Sequence, residues 1–238
     1  MNGLADIWVY LKASPLLWLT ATVLAYLVGV RLFERAGRRP WMNPVALAVV
    51  LLIAVLVTTG TDYQTYFDGA QFVHFLLGPA TVALAVPLWQ HRAEVRRSAL
   101  PLAAALLAGS VTAVLSAEMT ARLLGATPQV AASIAPKSVT TPIAMGIAEK
   151  IGGLPSLTAA LVICTGILGA VLGGSVLRLL RVRDPRAVGT AMGTAAHGIG
   201  TAAAFQAHPL AGTFAGIAMA LNGLLTALLV PVLLSLFR

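Results

Sequence analysis

The fold class this sequence predicts is an all-α, polytopic membrane bundle of about seven transmembrane helices plus one re-entrant hairpin. Three observations point there. Of the 238 residues, 58% are hydrophobic and only 10% charged, against roughly 25% charged in soluble domains. Apolar runs of the length a bilayer demands, about 20 residues each, recur along the chain. The arginines gather between those runs, so the net charge of +8 encodes topology and not nucleic-acid binding.

The runs fall near residues 14–32, 44–60, 71–90, 98–124, 155–180, 186–206 and 210–237, all within a single membrane domain, 1–238. The first is read as a retained helix, because it lacks a basic leader and an A-x-A site. Basic clusters follow at Arg31/Arg35/Arg38/Arg39, Arg92/Arg96/Arg97 and Arg178/Arg181/Arg183/Arg186. The positive-inside rule puts them in the cytoplasm, with the N-terminus outside, the Arg/Lys-free loops 61–70 and 207–211 outside, and the C-terminus cytoplasmic. Helix 98–124 then ends outside and helix 155–180 begins outside. The polar stretch 130–152 between them must enter and leave on one face. The alternative, a full crossing, would put an arginine cluster outside.

A weak internal echo accompanies this topology. Pro79 to Pro87 resembles Pro136 to Pro142, displaced by 57 positions, and Leu100-Pro101 is echoed by Leu154-Pro155. Residues 44–124 and 155–237 can be read as two three-helix units of opposite orientation. Inverted repeats with interrupted helices are the sequence pointer to a secondary transporter.

Within 130–152 lies Pro136-Lys137-Ser138-Val139-Thr140-Thr141-Pro142. Unwound polar backbone is tolerated at membrane depth only where protein or a water-filled cavity surrounds it. A lysine there costs about 2.5–3.5 kcal/mol on insertion scales. A carboxylate substrate would compensate it, aided by backbone amides freed at Pro136 and Pro142 and by the hydroxyls of Ser138, Thr140 and Thr141. The bland reading is a lysine at the interface. His197 lies inside the run 186–206, where an ionisable residue marks an ion, proton or substrate path. Gly193, Gly198 and Gly200 weaken the helix around it, although Gly189 and Gly193 also form a G-x-x-x-G pair suited to close packing. Thr201 and Asn222 complete the candidate substrate-binding set, and Pro79 joins the candidate helix breaks. Glu118 and Arg122 have the spacing of a structural i, i+4 pair, and Tyr63, Tyr66 and Phe67 that of an interfacial aromatic belt. The single Cys164 rules out an intrachain disulfide. No Walker loop, metal spacing or nucleophile elbow is present, so no enzyme, metal or cofactor is expected.

The motifs Pro136–Met145 and Gly193–Ala202, with Asn43-Pro44 and the run Leu76–Leu88, resemble the LrgB/CidB family over nearly the whole chain. That resemblance implies an antiholin-like or holin-like protein modulating murein hydrolase activity and autolysis, partnered by a smaller LrgA/CidA-type membrane protein or by further copies of itself. It equally implies kinship with the plastidial glycolate/glycerate translocator and with bacterial pairs linked to pyruvate uptake. Transport of small monocarboxylates, coupled to protons through His197, is the reading the buried lysine favours. Two positions depart from the family pattern. Ala203 stands where members commonly carry arginine, and Ala211 replaces an acidic residue ahead of Gly212-Thr213-Phe214.

Overall fold

The computed structural model describes residues 14–76, 79, 82–83 and 85–235. Among them every regular element is helical. Proline is the commonest helix starter: Pro15, Pro44, Pro128, Pro155, Pro185 and Pro209 each open a helix, where the missing N–H costs nothing and φ is already helical. Among the described residues, four helices are long and apolar enough to cross a membrane: Pro15–Arg35, Ala99–Leu123, Pro155–Leu179 and Pro209–Ser235.

Contacts divide the chain into two compact units, 1–85 and 86–238. In the first, α1 (Pro15–Arg35), α2 (Pro44–Thr59) and α3 (Tyr63–Phe75) pack together. Asn43 caps α2 by accepting from the amides of Val45 and Ala46 at 2.9 and 3.1 Å. Gly29 of α1 lies against Pro44, where an added Cβ would come within 2.6 Å of the carbonyl oxygen. Tyr66, expected in an aromatic belt, instead stands edge-on to the buried Trp18 at 5.9 Å and shares a 3.1 Å hydrogen bond with Thr22. The run expected at 71–90 is divided: α3 ends at Phe75 and α4 spans Ala85–Gln90. The echo at Pro79–Pro87 includes residues 80, 81 and 84, which lie outside the described residues.

The second unit continues with α5 (Arg92–Arg97), α6 (Ala99–Leu123), α7 (Pro128–Ile134), α8 (Thr141–Ile151), α9 (Pro155–Leu179), α10 (Pro185–Ala207) and α11 (Pro209–Ser235). Glu118 and Arg122 form the expected pair on α6 at 2.7 Å. Leu102 and Leu106 of α6 share a core with Phe214 and Ala218 of α11. Ser110 bonds Asn222 further along both helices, so α6 and α11 run parallel. The stretch 130–152 is two short helices joined by an unwound turn at 135–140. At 1.5 Å per residue, α7 and α8 measure roughly 10 and 16 Å, well short of a 30 Å hydrocarbon core.

The run 186–206, expected as one crossing, is corrected by the structure. Within α10, Ala196 (φ −128°, ψ 17°) and His197 (φ 40°, ψ −132°) are non-helical, and the chain reverses there. Gly189 and Gly193 lie against the carbonyls of Ala211 and Ala215 of α11, a parallel register. Phe205 packs on Gly212 and Gly198 faces Met219, an antiparallel one. Gly200 accordingly lies back against Met192 and Ala196. α10 is thus a hairpin of two arms, 185–196 and 198–207, of about 18 and 15 Å.

Two consequences correct the expected topology. Loop 207–211, expected on the side opposite Arg178–Arg186, lies at the same end as those arginines, because the second arm returns there. α11 then runs away from that end, so a cytoplasmic C-terminus no longer follows from cytoplasmic arginines; residues 236–238 themselves are outside the described set. The reversal is also not at the expected glycines. Gly193 lies within the first arm, Gly198 and Gly200 within the second, and the turn itself is Ala196-His197. Likewise Pro142 does not break a helix but sits at the start of α8.

Candidate functional site

Two unwound turns therefore meet the same interior: 135–140 between α7 and α8, and 196–197 within α10. Each is held by bonds remote in sequence. The imidazole of His197 is buried, and its Nε2 lies 2.9 Å from the Val162 carbonyl oxygen of α9. A carbonyl can only accept, so Nε2 carries the hydrogen and donates. The ring rests on Gly166, where a Cβ would lie 2.6 Å from Cε1. The positive φ of His197 belongs to a region that non-glycine residues occupy at a cost of about 1–3 kcal/mol. The Val162 bond and the ring packing hold it there.

Asn222 of α11 joins the two turns. Its Nδ2 donates to the carbonyl of Ser138 at 3.2 Å and to that of Thr194 at 3.1 Å. Its Oδ1 accepts from Ser110 at 2.5 Å and from Thr226 at 3.4 Å. Both amide hydrogens and the amide oxygen are engaged inside the protein. The geometry gives this side chain a positioning role between the turns and leaves it nothing to offer a substrate.

Between α6 and the first arm of α10 lies a cavity of about 880 Å³. Gly109 of α6 faces Thr194, and the Arg186 guanidinium reaches Ser98 at 3.5 Å, so the two helices run side by side along it. At one end stand Arg97, Ser98, Asp184 and Arg186; further in come Ala105, Thr112, Thr190 and Thr194; Lys137 and Ser138 also line it. Small side chains on both walls make the room. At the mouth, Asp184 caps α10 through the Arg186 amide and also takes the guanidinium as a fork, at 3.0 and 2.6 Å. Hydrogen bonds from Arg186 hold the Asp184 carboxyl below its usual range. The mouth thus carries two arginines against one satisfied carboxylate.

Lys137 is the cation of the interior. Its Nζ lies 3.5 Å from Ser138 Oγ, and no carboxylate of the described residues comes within ion-pairing distance of it. Of the other expected site residues, Ser138 lines the cavity, whereas Thr140, Thr141, His197, Thr201 and Asn222 do not. Thr140 is the N-cap position of α8, without a side-chain cap bond, and Thr141 is the first residue of that helix. Thr201 donates to the carbonyl of His197 at 2.8 Å and steadies the second arm. The sequence reading missed Thr112, Thr190, Thr194, Arg97 and Arg186. Thr190 and Thr194 spend their hydroxyl hydrogens on backbone carbonyls one turn back, at 2.8 Å each, and keep their lone pairs. In sequence they look like the small-residue packing around them, and only the cavity separates the two meanings.

These features define a class: a helical membrane protein with two interrupted segments around a cavity that reaches a half-buried lysine. Residues 22–236 match the model of the LrgB-like family, and the chain belongs to that family. It is 36% identical to YwbG of Bacillus subtilis (strain 168), over 90% of this chain and 95% of that one. It is 35% identical to a Haemophilus influenzae protein, over 79% of this chain and 82% of that one. It is 30% identical to the antiholin-like protein LrgB of Bacillus cereus (strain B4264), over 92% and 95% respectively. No solved structure matches the chain.

Proposed function

We propose that this protein is a secondary transporter of small monocarboxylates of the glycolate, glycerate or pyruvate kind, in the bacterial plasma membrane. One observation carries the reading: Lys137 lines the 880 Å³ cavity with no acidic partner among the described residues, so the charge that completes it must arrive with a ligand. Short helical arms ending in unwound turns are a device by which carriers hold ions at membrane depth. The arginines at the mouth raise the local concentration of anions. By the positive-inside rule that mouth faces the cytoplasm, and 130–152 is re-entrant from the other side. His197 is the coupling group. With Nε2 donating to Val162, a proton taken up at Nδ1 leaves that anchor intact, so the turn survives both protonation states.

The test is uptake of labelled glycolate, glycerate, lactate and pyruvate by purified protein in proteoliposomes, with and without a small LrgA/CidA-type partner. Lys137→Ala should abolish uptake while membrane insertion and helix content persist. Unchanged uptake removes the lysine from the mechanism.

A second reading, an antiholin-like protein that modulates murein hydrolase activity and autolysis, draws on the names of relatives such as LrgB of Bacillus cereus. On that reading Lys137→Ala should leave autolysis unaffected. The Gly189/Gly193 face, natural for oligomeric packing, is spent internally against Ala211 and Ala215, which favours transport.

A further inference from the structure

The second unit repeats a pattern. A 25-residue helix, Ala99–Leu123, is followed by a hairpin over 128–151; a second 25-residue helix, Pro155–Leu179, is followed by a hairpin over 185–207. Helix matches helix at an offset of 56 positions and hairpin start matches hairpin start at 57. The hairpins even open alike: Thr127 and Asp184 are N-caps whose side chains accept a helix amide, each followed by proline. The two copies point in opposite directions. α6 runs parallel to α11 and α11 parallel to the first arm of α10. That arm opposes α9, because Gly173, Gly169 and Gly166 face Met192, Ala196 and His197 in turn.

In such a pair, the face between α6 and the α10 arm has a counterpart between α9 and α7. The first face holds the cavity. The second is shut: Ser133 Oγ accepts from the Leu154 amide at 2.8 Å, and Thr158 donates to the Ser133 carbonyl at 2.9 Å. Gly153 packs so closely that a Cβ would lie 3.0 Å from the Ser133 nitrogen. Ser133 and Thr158 are fully buried. At the repeat offsets their counterparts are Thr190 for Ser133, Leu102 for Thr158 and Ser98 for Leu154, and all three line the cavity. Apart from the 3.5 Å contact of Arg186 with Ser98 at the mouth, what is bonded on one face stands open on the other.

We infer that Ser133, Thr158 and Leu154 form the latch of a second access path, which opens Lys137 to the opposite membrane face as the present cavity closes. The latch rests on the transport reading, since only a carrier needs two exclusive openings. It takes no ligand of its own. Its bonds are two, local and reversible, as a gate requires, and they hold Ser133, about one helical turn before Lys137 on the same hairpin.

The test uses the full chain in lipid nanodiscs, where both faces meet solvent, with Cys164→Ser to remove the native thiol and Ser133→Cys as reporter. Labelling by a membrane-impermeant maleimide should be slow in this background, where a thiol replaces the Ser133 hydroxyl but the bond from Thr158 to the backbone carbonyl at that position persists. Adding Thr158→Val, which deletes the bond to the Ser133 carbonyl, should speed it about five-fold or more, the shift expected from losing one buried hydrogen bond. A wedge in the cavity, Ala191→Trp, should cancel that gain by preventing the cavity from closing. Ala108→Trp, on the facing helix, should do the same if the first wedge fails to fold. No acceleration by Thr158→Val overturns the latch. Acceleration that both wedges leave untouched also overturns it, because the hairpin has then merely loosened. No substrate enters this assay, so loss of carboxylate uptake with intact labelling would sink the substrate class and spare the gate.

Discussion

Replacing Asn222 by leucine, close in volume but without polar atoms, should uncouple the two turns. The substitution leaves the carbonyls of Ser138 and Thr194 without their donor, and the Ser110 hydroxyl without its acceptor at 2.5 Å. A buried polar group left unpaired costs about 1–3 kcal/mol in water-soluble cores, and interhelical bonds in membranes average about 0.6 kcal/mol. Three orphaned groups therefore cost roughly 2–4 kcal/mol. In a chain of this size each kcal/mol moves Tm by about 2–4 °C, which predicts a fall of roughly 5–15 °C. The assay is thermal unfolding in detergent followed by far-UV circular dichroism, with two controls. Ser110→Ala removes one of the bonds and Thr226→Val only the 3.4 Å one, so the losses should rank Asn222→Leu, Ser110→Ala, Thr226→Val. Should Asn222→Leu prove no less stable than Ser110→Ala, the amide would not be joining the turns and the positioning role would fall.

Other expectations follow from the reversal at His197. His197→Ala should destabilise the protein by removing the Val162 anchor, while His197→Gly should recover about 1 kcal/mol of that loss by relaxing the positive φ; paired unfolding curves decide it. Gly193→Ala should cost more than about 2 kcal/mol, because its Cβ would overlap the Ala215 carbonyl, whereas Gly198→Ala, with nothing nearer than Met219 sulfur at 3.8 Å, should be neutral or mildly stabilising. Asp184→Asn should barely change stability, since the fork with Arg186 is half exposed, but it should speed carboxylate uptake at low ionic strength by making the mouth more positive, an effect salt should erase.

The sequence's information was uneven in an instructive way. Apolar runs and the scarcity of charge were enough to place α1, α2, α6, α9 and α11 within a few residues of their observed ends, because these signals act locally. Lys137 stood out for the same reason: one cation among apolar residues is costly wherever the chain goes. Thr190 and Thr194 did not stand out, since a hydroxyl in an apolar helix satisfies itself on the preceding turn whether or not a cavity faces it.

What the sequence by itself determined is the membrane class, the family and the polar turn at 135–140. The tertiary structure alone decided that 185–207 folds back on itself. No proline marks Ala196-His197, and glycines on either side read equally well as packing residues. The reversal exists because the Val162 carbonyl, the bare surface of Gly166 and the amide of Asn222, all distant in sequence, repay its strain together. That same reversal is what turns an apolar helix into the wall of a cavity reaching Lys137.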